Sequence, residues 1–385
     1  MPKQRRYPWR FALFLVAYYV ANSVYQGYIT VYFRSIGLDT KQIGLLMSAV
    51  PLVSIATQPL WGAIGDRCPS RARLLCVMSL AAAGAMIGML ANNTFWYLMG
   101  MIGLFSATFT AIQPMGDSVI LEDLSRDATP FGPMRLLGSL SFAASSLAAG
   151  WLLQDKLYLV SPLTAGMLVL TAMATFLLPK APGRQRANEK GSMLALFKRP
   201  DLAPLLVLLA LLQMTMGYFY AFFPVYFTEL PGGGSGLLGA CYLISAVSEL
   251  PFLLLCDRLF EKLGAGKLLL SAAVAMTARW LILAAFPVVP IVMASQILHG
   301  WCFIVMTVTM AKYINQSVPE AFRARGQMLL SIVSYGFARV AGSMGGGLVA
   351  DAMGIGGGFY VMAATTLLSI LLFAKRYLRA PRQKG

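Results

Sequence analysis

The sequence predicts an all-α membrane protein of twelve transmembrane helices arranged as two pseudo-symmetric six-helix bundles, and three observations predict it. Of its 385 residues, 58% are hydrophobic and 12% charged, with a mean hydropathy of +0.69; a soluble chain of this length needs far more charge to cover its surface. Apolar runs of about 20 residues, the length that crosses a hydrocarbon core of roughly 30 Å, recur from end to end. They show no period-two alternation of the kind an outer-membrane barrel requires. The longest polar interruption, Pro179 to Asp201, divides them six and six.

Taken in order, the apolar runs are 11–33, 42–64, 74–92, 95–120, 134–153, 157–178, 203–228, 236–255, 268–286, 288–311, 327–348 and 358–374. Each is bounded by charged or turn-forming residues, which is where hydropathy ends a span. The first follows Lys3, Arg5, Arg6 and Arg10 and has the look of a secretory signal peptide, with Ala21-Asn22-Ser23 as a poor cleavage site. Its apolar stretch is too long for that, and it reads as the first span. The interruption "PKAPGRQRANEKGSMLALFKRPD", rich in proline, glycine and charge, reads as a linker. The expected organisation is one bundle over 1–178, a cytoplasmic linker over 179–202, and a second bundle with a short basic tail over 203–385.

Placing the N-terminus inside puts 26 of the 31 basic residues on the cytoplasmic side, with both termini there. Arg34, Lys41 and Lys156 fall outside, and Arg279 and Arg339 lie within spans. Topology and anionic lipid headgroups then account for the net charge of +16 without a nucleic-acid partner. The five cysteines form no CxxC pair, so neither a metal site, a disulfide framework nor a cofactor is implied. No paired carboxylates, Ser/His/Asp set or metal-ligand spacing suggests an enzyme.

The second span ends abruptly in "QPLWGAIGDRCPSRARLL", where Gly62, Asp66, Arg67 and Arg71 crowd against an apolar run. This stretch resembles the signature between the second and third spans of the major facilitator superfamily, with Pro69 standing where the signature has its second glycine. Asp257-Arg258, after the eighth span, is a weak echo of it in the second half. "FGPMRLLGSLSF", "QILHGWCF" and "AKYI" are similar to the proton-coupled branch that contains the lactose permease and phenylpropionate permease-like groups, over the whole chain. The resemblance implies a monomeric secondary transporter of the bacterial inner membrane that works by alternating access. It also implies that the Asp66 loop is a latch, its acid making ion pairs and capping a neighbouring helix in one state and releasing them in another.

An ionisable side chain in mid-span costs about 2.5–3.5 kcal/mol on insertion scales, so it faces a partner or a water-filled cavity. At 1.5 Å per residue, Glu249 lies about 12 Å from the inner end of its span, Arg279 about 18 Å, His299 about 20 Å and Arg339 about 21 Å. Four spans of the second half thus deliver ionisable groups to similar depths, which is the geometry of a proton relay. Glu249 and His299 are the proton candidates, and movement of Arg279 or Arg339 would change their proton affinity.

Asp117 and Arg135 lie nearer the cytoplasmic third and match, by the resemblance, the acid and arginine of a permease substrate site. An arginine fork can hold a carboxylate or hydroxyl pair there with Asp117 as counter-ion, or the two can simply lock their helices together. Tyr18, Asn22 and Gln26 form an i, i+4, i+8 stripe on the first span, with Gln213 and Tyr220 as counterparts on the seventh. These are expected to line a cavity, with Tyr18, Tyr218 or Tyr220 receiving an apolar substrate body. Gly-rich "GSMGGGLVAD" reads as close helix packing, since no strand precedes it.

The leading functional expectation is proton-coupled uptake of a small organic solute, with the substrate and a proton as partners and the bilayer as environment. Asp117 and Glu249 against Arg135, Arg279 and Arg339 leave one uncompensated positive charge with His299 neutral, which favours a substrate that brings an anion, such as an aromatic carboxylate. Were Arg135 to reach the cytoplasmic surface the charges would balance, and a neutral sugar or nucleoside would fit instead. Drug or metabolite efflux is the further alternative, although the Gly-Pro pattern usual for it is missing from "RLLGSLSFAASSLAAGWLL".

Overall fold

A computed structural model describes residues 9–126, 131–179, 196, 199–319 and 322–379. Most of the expected linker lies outside these, as do Lys3, Arg5 and Arg6 of the basic N-terminus and Arg382 and Lys384 of the tail. The first six long helices are α1 (Trp9–Ser35), α2 (Thr40–Arg67), α3 (Arg71–Gly88), α4 (Phe95–Arg126), α5 (Gly132–Leu152) and α6 (Val160–Ala174). After the linker come α7 (Ala203–Glu229), α8 (Ser235–Ala285), the short α9 (Val289–Ser295), α10 (Ile297–Ser317) and α11 (Arg323–Ser331). A π-helical segment, Ile332–Ala338, then leads into α12 (Arg339–Arg379).

Eight stretches among the described residues are helical, long and apolar enough to cross a membrane. Two of them run to 51 and 54 residues. Each of these is broken by a glycine with positive φ, Gly264 (75°) in α8 and Gly354 (74°) in α12. The expectation of twelve crossings fits these elements if each broken rod crosses twice and α1 and α5 cross once each.

The polar stretch 256–267 was expected to separate two spans, and the break between the two helical arms of α8 falls inside it, at Gly264; the first arm runs on as far as that residue and carries Asp257 and Arg258 on its surface. Arg258, Leu259, Glu261, Lys262 and Leu263 are good helix formers, and charge alone does not end a helix that has left the hydrocarbon. Only Gly264 breaks the pattern.

The chain parts into two compact units. Unit 1 holds Met1–Leu38, Leu52–Ala187 and Ser235–Gly239; unit 2 holds Asp39–Pro51, Asn188–Gly234 and Ala240–Gly385. This grouping differs from a plain 1–178 and 203–385 division by two exchanged segments, 39–51 and 235–239. In unit 2 the first of these brings Gly44 of α2 against the backbone of Ser343 and Gly347, and Lys41 pairs with Asp351 at 2.7 Å.

Within unit 1, α1 is the central rod, its face buried through Phe11, Phe14, Tyr18, Ala21, Tyr25 and Tyr28. Aromatic rings fill the space between α1 and α4, where Tyr18 stacks on Phe109 and Tyr25 lies 4.4 Å from Phe105. In unit 2, α7 is the corresponding rod, buried along most of its length. Pro114 inside α4 removes the backbone donor that Thr110 would otherwise use. The freed Thr110 carbonyl accepts from Gln58 Nε2 at 3.3 Å instead, which ties α2 to α4. Arg199 forks onto Asp201 at 3.0 and 2.7 Å ahead of α7, and that pairing draws the Asp201 carboxyl below the usual carboxylate range.

Candidate functional site

Among the described residues, a group of buried polar side chains comes together in unit 2. Arg279, on the second rod of α8, is fully buried. Its Nη2 donates to Gln296 Oε1 at 2.5 Å, and its Nη1 lies 3.1 Å from His299 Nδ1. Its guanidinium also rests on the Phe219 ring at 4.2 Å from the centroid, an attraction that strengthens when water is excluded. On the far side of the imidazole, His299 Nε2 is 3.7 Å from Glu249 Oε1.

This order fixes the tautomer of a neutral His299. Guanidinium groups only donate, so Nδ1 must accept, and the ring proton sits on Nε2 facing the Glu249 carboxylate. The cluster is therefore a line, Arg279 to His299 to Glu249, with the imidazole between the permanent cation and the acid. Phe303 stacks on the imidazole at 5.6 Å and Tyr220 meets it edge-on at 6.3 Å, which leaves the ring little freedom to turn.

Arg339 is the other arginine of this unit. It sits where the π-helical segment returns to α-helix, with its Nε 3.5 Å from Gln213 Oε1. Its guanidinium lies over Tyr220 (4.7 Å) and Tyr335 (5.0 Å). A π-turn carries one residue more than an α-turn and so re-aims the side chains that follow, and such turns concentrate at functional sites. Among the described residues, this group in unit 2 thus holds two cations, Arg279 and Arg339, against one acid, Glu249.

Two glycine crossings set these distances. A side chain on Gly300 of α10 would collide with the Ser248 carbonyl and the Glu249 amide, so only glycine lets α10 lie on α8 one residue from His299. The Gly300 amide donates to Ser248 Oγ at 2.9 Å across the same crossing. Gly217 of α7 and Gly342 of α12 form the second crossing, where a Cβ on Gly217 would stand 2.8 Å from the Arg339 carbonyl. Small residues at such crossings let helices approach closely enough in lipid for polar side chains to meet. Pro251, two residues beyond Glu249, adds a local irregularity to α8 by freeing the Val247 carbonyl.

Unit 1 carries a second polar group. Arg135 Nη1 of α5 lies 3.2 Å from Asp117 Oδ2 of α4, with the arginine side chain 51% exposed and the aspartate 19%. Gln113, one turn before Asp117, donates to Tyr19 Oη at 2.9 Å, and the Arg135 guanidinium lies 6.0 Å from the Tyr19 ring. Gly138 of α5 packs directly on that ring. The tyrosine of the group is thus Tyr19; its neighbour Tyr18 is buried against Phe109. Asn22 is half-buried and Gln26 exposed. Tyr218 is wholly buried, with its hydroxyl on the Ile355 carbonyl at 2.7 Å and its ring against Gly346 and Gly358, so it packs α7 on α12.

The expected latch is arranged differently from the expectation. Asp66 is still inside α2, and the residue that caps α3 is Ser70, whose Oγ accepts from the Arg73 amide. Among the described residues Asp66 has no ion-pair partner, while Gly62 and Arg67 are exposed. The ion pair belongs to Arg71, which bonds the Glu122 carboxylate and Ser118 Oγ (2.8 Å) on α4. In unit 2, Asp257 pairs with Lys312 at 2.8 Å, and Arg258 is exposed. Arg71→Gln is therefore expected to cost about 1.5–3 kcal/mol, the range for hydrogen bonds to charged groups, whereas Asp66→Asn leaves stability within about 0.5 kcal/mol. Thermal unfolding of the two variants in detergent checks the contrast, and an equal loss in both would contradict it.

Three comparisons with known proteins bear on these groups. A family profile described as the MFS_1 like family matches residues 8–361. The chain is 30% identical over 354 residues to the maltose permease of Geobacillus stearothermophilus, covering 90% of this chain and 89% of that protein. It is 25% identical over 376 residues to a probable 3-phenylpropionic acid transporter of Escherichia coli (strain K12), covering 94% and 96%. In fold it resembles the crystal structure of the nucleoside transporter NupG, with a TM-score of 0.86 at 16% identity, covering 97% of this chain and 99% of that one.

Proposed function

We propose, from the premise that this chain belongs to the MFS_1 like family of multi-pass membrane transporters, that it carries a small organic solute together with a proton by alternating access. The chain is a transporter and not an enzyme. Its setting in this reading is a bacterial cytoplasmic membrane, as a monomer with both termini inside. The observation that carries the proton-coupled reading is the line Arg279, His299, Glu249.

In that line Glu249 is the group that gains and loses the proton. With Glu249 ionised, the Nε2 proton of His299 faces a carboxylate, and Arg279 holds the imidazole in the tautomer that keeps it so. With Glu249 protonated, that attraction weakens, and the acid no longer offsets the two arginines. The cluster then has an excess of positive charge in a low-dielectric setting, which favours binding of an anion. Substrate and proton would in this way be taken up together. Arg339, on aromatic faces with only a long contact to Gln213, is the arginine with the weakest prior commitment and the one assigned to the substrate.

The substrate class that this charge arrangement favours is a small carboxylate with an apolar body, in keeping with similarity to a probable 3-phenylpropionic acid transporter. A second reading rests on Arg135. It is half exposed and paired with Asp117, so unit 1 contributes no net charge, and the similarity to a maltose permease favours a neutral sugar held by the Asp117 and Arg135 fork.

Paired uptake assays separate the two readings. Proteoliposomes with an imposed inward proton gradient are offered 3-phenylpropionate, its amide and maltose. Accumulation of the acid at least tenfold over the amide is expected. Accumulation of maltose with no discrimination between acid and amide would favour the second reading, and no dependence on the gradient for any of the three would remove proton coupling.

A further inference from the structure

The glycine crossing of α7 and α12 has a consequence on the side away from the polar cluster. Beyond the contact at Gly217 and Gly342, the outer face of α7 runs alongside α11 and the π-helical segment Ile332–Ala338. Between them lies a cavity of about 630 Å³. It is walled by Leu206, Ala210 and Met214 on one side and Leu329, Val333 and Ala341 on the other, with Val207 and Phe337 at its rim. No charged side chain and almost no polar surface lines it.

Such a lining offers water no polar partners, whereas an apolar chain that enters from the bilayer makes dispersion contacts along its walls. Val207 also borders a second cavity, of about 620 Å³, formed by Ala203, Pro204, Leu372 and Phe373 together with Lys375 and Arg376. At 1.5 Å per residue, Pro204 to Met214 spans about 15 Å, so the apolar wedge and its basic mouth form one groove of a length that suits the first part of an acyl chain. Arg376 donates to the Pro200 carbonyl at 2.7 Å and Lys375 has no partner among the described residues, so the mouth presents cationic charge without a carboxylate to cancel it.

We infer that this groove binds an anionic phospholipid, with one acyl chain in the wedge between α7 and α12 and the phosphate headgroup at Lys375 and Arg376. The lipid stands against the wall that carries Ile332 to Ala338, the segment that delivers Arg339. Basic groups at the mouth of a crevice between membrane helices recognise anionic headgroups through charge and hydrogen bonds, and the acyl chain supplies the apolar contact. This inference is independent of the transport reading, because it concerns only the outer wall of α7 and α12.

Native mass spectrometry of the full chain, delipidated and then returned to mixed micelles of phosphatidylglycerol and phosphatidylcholine in equal amounts, tests it. One phosphatidylglycerol per protein is expected to be retained, at least tenfold over phosphatidylcholine. Lys375→Gln combined with Arg376→Gln, both at the surface, should remove the headgroup preference, and Ala210→Trp, which fills the wedge, should remove retention of either lipid. Lys262→Gln, a surface charge elsewhere on unit 2, should change neither. Equal retention of the two lipids by the parent protein, or a loss in the Lys375/Arg376 variant no greater than in Lys262→Gln, would overturn the inference.

Discussion

Glu249→Gln is expected to abolish accumulation driven by a proton gradient while exchange of labelled for unlabelled substrate across the same membrane continues. The expectation follows from the place of the carboxylate at the end of the line that begins at Arg279. Glutamine is near in size and keeps the contact with His299, so the local packing survives, but it can neither bind nor release a proton at neutral pH. Exchange needs only that the loaded carrier reorient in both directions, a step that does not require Glu249 to lose its proton. The expected size is a loss of at least a hundredfold in gradient-driven accumulation, with exchange within about threefold of the parent; in free-energy terms a hundredfold is about 2.7 kcal/mol. Loss of both activities, or retention of both, would remove Glu249 from the coupling role. His299→Gln is a useful companion, because a glutamine amide can still donate toward Glu249 while it lacks the ring that links the acid to Arg279.

Gly300→Ala is expected to reduce both modes of transport together and to lower stability. The added methyl meets backbone, the Ser248 carbonyl and the Glu249 amide, and backbone in two packed helices cannot move aside as a flexible side chain can. Overpacking of this kind costs about 1–3 kcal/mol. The displacement also widens the gap between His299 Nε2 and Glu249 Oε1 from its present 3.7 Å, since His299 is the residue next to the crossing. The measurement is thermal unfolding in detergent alongside uptake and exchange in proteoliposomes. Unchanged unfolding with normal transport would mean that α8 and α10 do not approach as closely as described. Gly84→Ala serves as the control, because a Cβ there meets nothing within 4 Å.

Much of the polar cluster was legible from the sequence because a charge inside an apolar run announces itself. Arg279, His299, Glu249 and Arg339 stand out in this way, and counting residues from the span ends put them at similar depths. Gln296 was overlooked although it lies three residues before His299, on the same helical face by spacing; an uncharged amide in an apolar run gives a weak signal, and its value comes only from the Arg279 guanidinium that it meets. Tyr19 and Gln113 were overlooked for a related reason. The stripe chosen on the first span ran through Tyr18, and one residue is a turn of 100° about the helix axis, enough to move from the Asp117 and Arg135 group to the Phe109 packing surface. The partner of Arg71 could not be foreseen, because Glu122 sits 51 residues away and nothing local links them. The extension of the first arm of α8 through Asp257 and Arg258 as far as Gly264 was not legible, because charge marks the edge of the hydrocarbon and not the end of a helix.

The two broken rods of unit 2 have a mechanical meaning. At Gly264 and Gly354 the helix is interrupted at a single residue, in a backbone conformation (φ 75°, ψ 166° and φ 74°, ψ 161°) that other residues adopt only under strain. Each break is confined to one residue, so the two arms on either side of it are joined by a very short connection. Glu249 and Arg279 lie on the two arms of one such rod, on either side of Gly264. Lengthening that connection, by inserting two or three glycines after Gly264, would loosen the Glu249 arm from the Arg279 arm without touching either side chain.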